Sequence, residues 1–182
     1  MTIRNTVRVG LLLCLTLLVV AFAADRRGIQ SAPVAYAQST SSAPACRHVG
    51  GTVMTDFGAI DSTTTMGTAT GDLRGAVSGS ILGAPQTGPT GTVIFHVQHH
   101  WVTESGDQIF FDPATATTMP LGSGLFAVLT YPLHPNGGTG KFASLNGGEL
   151  NAIGEVHCDN AYCSAGQTVF RYSGQVCFAG QD

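Results

Sequence analysis

From residue 38 onward the sequence predicts an all-β domain, a sandwich or a barrel of about eight short strands. Three observations predict it. Leu73, Gly75, Val77, Gly79 and Ile81 alternate with Asp72, Arg74, Ala76, Ser78 and Ser80, the period of two that marks a sheet with one buried face. Glycine and proline punctuate the chain at short intervals, as in 83–91 (GAPQTGPTG). No stretch of this region sustains an i, i+3, i+4 apolar pattern over ten residues. Sparse charge and 24 glycines suit a β-protein with a large internal face.

The elements follow in order. Residues 1–37 read as an export segment. Arg4 and Arg8 give a basic start, and Leu11 to Ala24 (LLLCLTLLVVAFAA) is an apolar run. That run is shorter than the roughly 20 residues a membrane span needs and fits a signal peptide. Cleavage is expected at Ala23 or Ala37, leaving no stable membrane span; an uncleaved single-helix anchor is the alternative. The expected location is therefore secreted, periplasmic or otherwise extracytoplasmic. Residues 38–48 form a polar linker without an apolar pattern, expected to be disordered. Residues 49–182 form the β domain. Its expected strands are Gly51–Asp56, a long Thr65–Leu82, Thr92–Thr103, Gln108–Asp112, Leu125–Tyr131, Lys141–Leu145, Leu150–Cys158 and Thr168–Phe178. Pro113–Gly124 and Tyr131–Gly138 are expected to be loops.

Charge and cysteine content narrow the partners. Without residues 1–37 the chain keeps 4 basic and 10 acidic residues, a formal charge of −6. No basic face remains for a phosphate backbone, so nucleic acid is excluded as a partner. Cys46, Cys158, Cys163 and Cys177 remain, an even count that favours disulfides outside the cytoplasm. Three pairings are open. Cys158–Cys163 is favoured, because 159–162 looks like a loop that brings its ends together. Cys46–Cys177 would then join the start of the domain to its last strand. A C-x4-C redox or metal pair is the alternative.

Asn136 to Glu155 (NGGTGKFASLNGGELNAIGE) is a run of glycine-rich corners leading into a strand. It resembles the GTGKF…G signature of the plant dirigent and allene oxide cyclase barrels and their bacterial relatives. Gly71–Gly79 (GDLRGAVSG) and Tyr172–Val176 (YSGQV) resemble two further strands of that family. The resemblance implies a small closed antiparallel β-barrel, a form that removes exposed strand edges. It also implies a cofactor-free site that binds an apolar or aromatic small molecule. Allene oxide cyclases guide ring closure of an unsaturated fatty-acid epoxide, and dirigent proteins orient phenoxy radicals. Catalysis of that kind is orientation rather than nucleophilic attack. The matching pieces are structural corners, so no catalytic residue of the family carries over to this chain.

The site candidates come from strand alternation. In the third expected strand, Val93, Phe95, Val97, His99 and Trp101 form the more apolar face and should point inward. His96 and His100 should point outward. In the last strand the inner face is Phe170, Tyr172, Gly174, Val176 and Phe178. In Leu125–Tyr131 both faces are apolar, one with Leu129 and Tyr131 and one with Phe126 and Val128. An apolar outer face asks for a cover, so a homo-oligomer is expected; the resemblance implies a trimer, with a dimer the other form. The inferred interior offers His99, Tyr131, Tyr172 and Glu149 as candidate catalytic groups. Phe95, Val97, Trp101, Leu129 and Phe170 are the candidate ligand-binding residues. The alternative is that these are core residues of a non-catalytic carrier or structural barrel. His96, His100 and Glu104 suggest a metal site, since Gln98-x-His100-x3-Glu104 resembles the first cupin motif with glutamine for its first histidine. The second cupin motif is absent, and no cofactor is expected. No G-x-S-x-G, H-E-x-x-H, P-loop or dinucleotide fingerprint is present.

Overall fold

The structure is a computed structural model that describes residues 45–160 and 162–180. The expected signal peptide and most of the expected linker lie outside the described residues. Twelve strands follow one another: β1 (Ala45–Phe57), β2 (Thr64–Ala69), β3 (Gly75–Ile81), β4 (Gln86–Thr87), β5 (Val93–Thr103), β6 (Gln108–Phe111), β7 (Ala114–Gly122), β8 (Leu125–Thr130), β9 (Pro132–Leu133), β10 (Pro135–Gly138), β11 (Leu145–Cys158) and β12 (Gly166–Phe178). All pairings are antiparallel. The order β5-β3-β2-β1-β12-β11-β8-β7 returns to β5 through the β5–β7 pairing, so eight strands close into a ring. Among the described residues no helix is long and apolar enough to cross a membrane.

The ring is an all-β closed antiparallel barrel, as the alternation and the resemblance led us to expect. β1 runs from Cys46, opposite Cys177, to Phe57, opposite Gly166, and so connects the two ends of the barrel. The first end is plugged. The corner Gly140–Phe142 is a 3-10 turn that drives Phe142 into the interior with no exposed surface. Gly140 there has φ +54, and a Cβ would collide with the Asp107 carboxylate, so the corner requires glycine. Phe142 stacks on Phe178 at 6.2 Å, and the Arg47 guanidinium lies 5.3 Å from the Phe178 centroid. Cys46–Cys177 staples this end, and Cys158–Cys163 closes the short loop at the other. Two disulfides are the mark of an oxidising compartment.

Several expectations are corrected. The continuous strand Thr65–Leu82 is two strands, β2 and β3, folded on each other around the 3-10 turn Gly71–Leu73. Gly71 makes the fold-back with φ +82, where a side chain would also strike the Gly50 carbonyl. The alternation survives because Leu73 still points inward, fully buried. Pro113–Gly124 is not a loop but β7, the strand that closes the ring. Its buried residues Ala114 and Ala116 pair with Val97 and Phe95 of β5. Tyr131–Gly138 carries the short strands β9 and β10, whereas Lys141–Leu145 is mainly the 3-10 corner. Ala45–His48, expected in the linker, already pair with Phe178–Gln175.

Candidate functional site

Above the plug the interior divides into a solid layer and a cavity. The solid layer is Trp101, Tyr172 and Leu73. Trp101 is 1% exposed and Tyr172 2%. Their rings meet edge to face at 5.3 Å. The Trp101 indole N–H donates to the Leu73 carbonyl at 2.7 Å. The Tyr172 hydroxyl accepts the Leu73 N–H at 3.1 Å and donates to the Thr70 carbonyl at 2.8 Å. Both polar tips are consumed in holding the turn between β2 and β3. Tyr172, a candidate catalytic residue, and Trp101, a candidate ligand contact, are therefore the floor beneath the cavity and not part of its lining. Burial, the largest influence on the Tyr172 phenol, raises its pKa.

The cavity has a volume of about 120 Å³. Its walls include Val53 of β1, Val77 and Ile81 of β3, Phe95 and Val97 of β5, Ala116 of β7, Val128 of β8 and Phe170 of β12. Phe95, Val97 and Phe170 thus stand where alternation placed them. Ser62 and Cys163 also line it, from the β1–β2 and β11–β12 loops. These two loops touch where Gly58 abuts Ser164 and Ala165. They form the rim opposite the plugged end.

Besides Ser62, Thr65 and Thr118, two polar pairs interrupt the apolar wall. His99 Nε2 and the Tyr131 hydroxyl are hydrogen-bonded, with ring centroids 5.4 Å apart. A backbone hydrogen bond at Ser78 engages the same imidazole. A ring nitrogen that meets a backbone carbonyl must carry the proton, which assigns Nε2 as the acceptor and Tyr131 as the donor. Burial removes water from both groups. It pushes His99 down to about 4, so the ring is neutral at ordinary pH. The same burial pushes the Tyr131 phenol well above its ordinary value. The second pair is Thr55 Oγ1 with Thr168 Oγ1 at 2.6 Å, across the β1–β12 register. Sequence reasoning missed it. Only the strand pairing brings these residues together, and isolated threonines in a strand carry no signal.

Leu129 and Glu149 do not reach the interior. Leu129 is 47% exposed. A bulge in the β7–β8 pairing, where Thr117 faces Thr130 but Thr118 faces Val128, skips Leu129 and puts both Val128 and Tyr131 inside. Glu149 is exposed because Leu150 and Ala152 take the inner face of β11. The metal alternative is also corrected. His96 bonds to Thr115 at 3.1 Å, His100 to Gln108 at 3.0 Å, and Glu104 pairs with Arg74 at 3.3 Å. His96 and His100 stand four positions apart on an extended strand, about 13 Å, too far for shared ligation, and Glu104 lies past the end of β5. Among the described residues no cluster of three His, Cys, Asp or Glu side chains could hold an ion.

The arrangement can enclose one small uncharged molecule and hold it against aromatic rings. Its one hydroxyl–imidazole pair, Tyr131 and His99, is held neutral on both sides, since burial lowers the imidazole and raises the phenol. No protein-family model, curated protein or solved structure matches the chain.

Proposed function

We propose that the chain is an exported β-barrel that binds a compact apolar or aromatic molecule in its central cavity. In the manner of the dirigent and allene oxide cyclase barrels it resembles, it then steers that molecule's cyclisation, isomerisation or coupling. The observation that carries this reading is the cavity of about 120 Å³, whose wall is mostly apolar and carries the paired hydroxyls, the His99–Tyr131 bond and the side chains of Ser62, Thr65 and Thr118. It is smaller than the several hundred Å³ of drug-sized sites, and close to cavities known to take up benzene. The enclosed part of the ligand is therefore about one ring, and anything longer leaves past Ser62 and Cys163. The two disulfides support export.

Exposed apolar side chains on the outer wall, Met54, Ile153 and Val169, belong to the same proposal as the contact face of a dimer or trimer. Light scattering on the purified protein tests that part; a monomer at micromolar concentration removes it.

Mass spectrometry of small molecules retained by the secreted protein tests the binding. Titration with a panel of one-ring compounds runs beside it. A retained apolar compound, or saturable binding of a panel member, is expected. Failure of both leaves a structural barrel. A non-catalytic carrier is the second reading, favoured because neither His99 nor Tyr131 titrates near neutral pH. Recovery of the bound compound unchanged after prolonged incubation selects the carrier.

A further inference from the structure

We infer that the cavity selects an uncharged, one-ring molecule with a hydrogen-bond donor directed at Tyr131 and an acceptor directed at the Thr55–Thr168 pair. The inference rests on the binding reading above and adds the chemistry of the ligand.

It follows from counting protons. With the imidazole proton assigned to the nitrogen that meets the Ser78 backbone, Tyr131 gives its only proton to His99, which leaves the phenol oxygen with lone pairs and nothing to donate. The open valence at that end is an acceptor, and it calls for a ligand O–H or N–H. At the other pair, two hydroxyls share one hydrogen bond. One proton bridges them and the second is left over, since no other acceptor engages either hydroxyl among the described residues. The open valence there is a donor, and it calls for a ligand oxygen. Both pairs line the same cavity, and Thr55 and Thr168 are each only 6% exposed, so water reaches them with difficulty. A polar group of the ligand left unmatched here would cost its full desolvation.

Charge is excluded on the same grounds. The cavity lining contains no Lys, Arg, Asp or Glu. Its one titratable base, His99, already has both ring nitrogens engaged and is neutral above about pH 4. A carboxylate would enter without a counter-charge.

The test uses four probes of one ring: methylcyclohexane, cyclohexanol, cyclohexanone and cyclohexanecarboxylate. Binding to the full secreted chain is followed by nuclear magnetic resonance titration at pH 7. Methylcyclohexane, cyclohexanol and cyclohexanone are expected to bind, and the carboxylate at least about tenfold more weakly than the alcohol. Tyr131→Phe should weaken cyclohexanol about tenfold and leave methylcyclohexane within about twofold. The double variant Thr55→Val/Thr168→Val should weaken cyclohexanone about tenfold, again sparing methylcyclohexane. Tyr131→Phe strips His99 of its partner and costs stability, so a wild-type measurement runs beside it. Bound cyclohexanol should show Overhauser contacts to the rings of Tyr131 and His99.

Methylcyclohexane that binds while either variant fails to discriminate overturns the two-point recognition and leaves the cavity reading standing. The two-point recognition is equally overturned if those Overhauser contacts are absent, or if the carboxylate binds as well as the alcohol. If none of the four probes binds, the cavity reading itself fails and takes this inference with it.

Discussion

Trp101 donates its indole N–H to the carbonyl of Leu73 across the barrel interior, at 2.7 Å. With the Tyr172 hydroxyl on the Leu73 N–H and the Thr70 carbonyl, this bond anchors the reversal between β2 and β3 to β5 and β12. The turn is short and contains Gly71, so its own backbone supplies little restraint. The aromatic pair supplies it instead, and separates the filled half of the barrel from the hollow half.

Tyr172→Phe should therefore be a stability variant and not a binding variant. It leaves the Leu73 N–H and the Thr70 carbonyl without their partner in a buried layer, at a cost of about 1–3 kcal/mol. Urea unfolding should show that loss, while ligand affinity stays within about twofold. A Tyr172→Phe protein of native stability that loses ligand would move Tyr172 from the floor into the site.

Much of this architecture was legible in the sequence because sheet alternation is strict where one face is buried. Val97 and Trp101 on β5, and Tyr172 and Val176 on β12, are buried as the period of two required. The misplacements share a cause: local pattern does not record where a strand leaves the regular ladder. The β2–β3 reversal keeps the alternation in phase, so it read as one strand. β7 presents the alanines Ala114 and Ala116 inward, and alanine gives no strand signal. At Leu129 the bulge shifts the parity, and Val128 rather than Leu129 joins the cavity. The His99–Tyr131 bond joins residues 32 apart and the threonine pair residues 113 apart. Alternation alone placed His99 and Tyr131 inside; the bond between them required the closed ring.

The two disulfides should differ in weight. Cys46–Cys177 spans 131 residues and Cys158–Cys163 only 5. On the chain-entropy account the first contributes about 5 kcal/mol and the second about 2 kcal/mol. Cys46→Ser/Cys177→Ser should lower the urea midpoint much more than Cys158→Ser/Cys163→Ser. Equal losses would mean that strain or residual unfolded structure outweighs loop length.

Stability should fall as pH drops from about 6.5 toward about 4. His99 titrates near 6.5 when unfolded and is lowered to about 4 when folded, first by burial. Between those values the unfolded state binds the extra proton, so unfolding becomes easier as acid is added. The full window corresponds to about 3 kcal/mol. Asp61, held below its ordinary value first by its hydrogen bond from the Thr63 hydroxyl, acts in the same direction but only below about pH 3.8. Urea unfolding of wild type and His99→Gln at pH 7, 5.5 and 4.5 checks the assignment. The variant should lack most of the slope, and an unchanged slope would assign it to other groups.

Filling the cavity should separate its two consequences. Ala116 is buried in the wall opposite Phe95, and leucine there adds three carbons to a space of about 120 Å³. Those atoms gain contacts where none exist, so Ala116→Leu should raise unfolding free energy by about 1 kcal/mol. The same atoms occupy the volume a ring would take, so uptake of methylcyclohexane should vanish. Leu129→Ser, on the outer wall, is the matched control: 47% exposed, it should change stability by no more than about 0.5 kcal/mol and leave uptake intact. Calorimetric melting and the same titration read both effects on both variants. If Ala116→Leu stabilises the barrel yet still takes up the ring, the ligand sits elsewhere; if Leu129→Ser abolishes uptake, it sits on the outer wall.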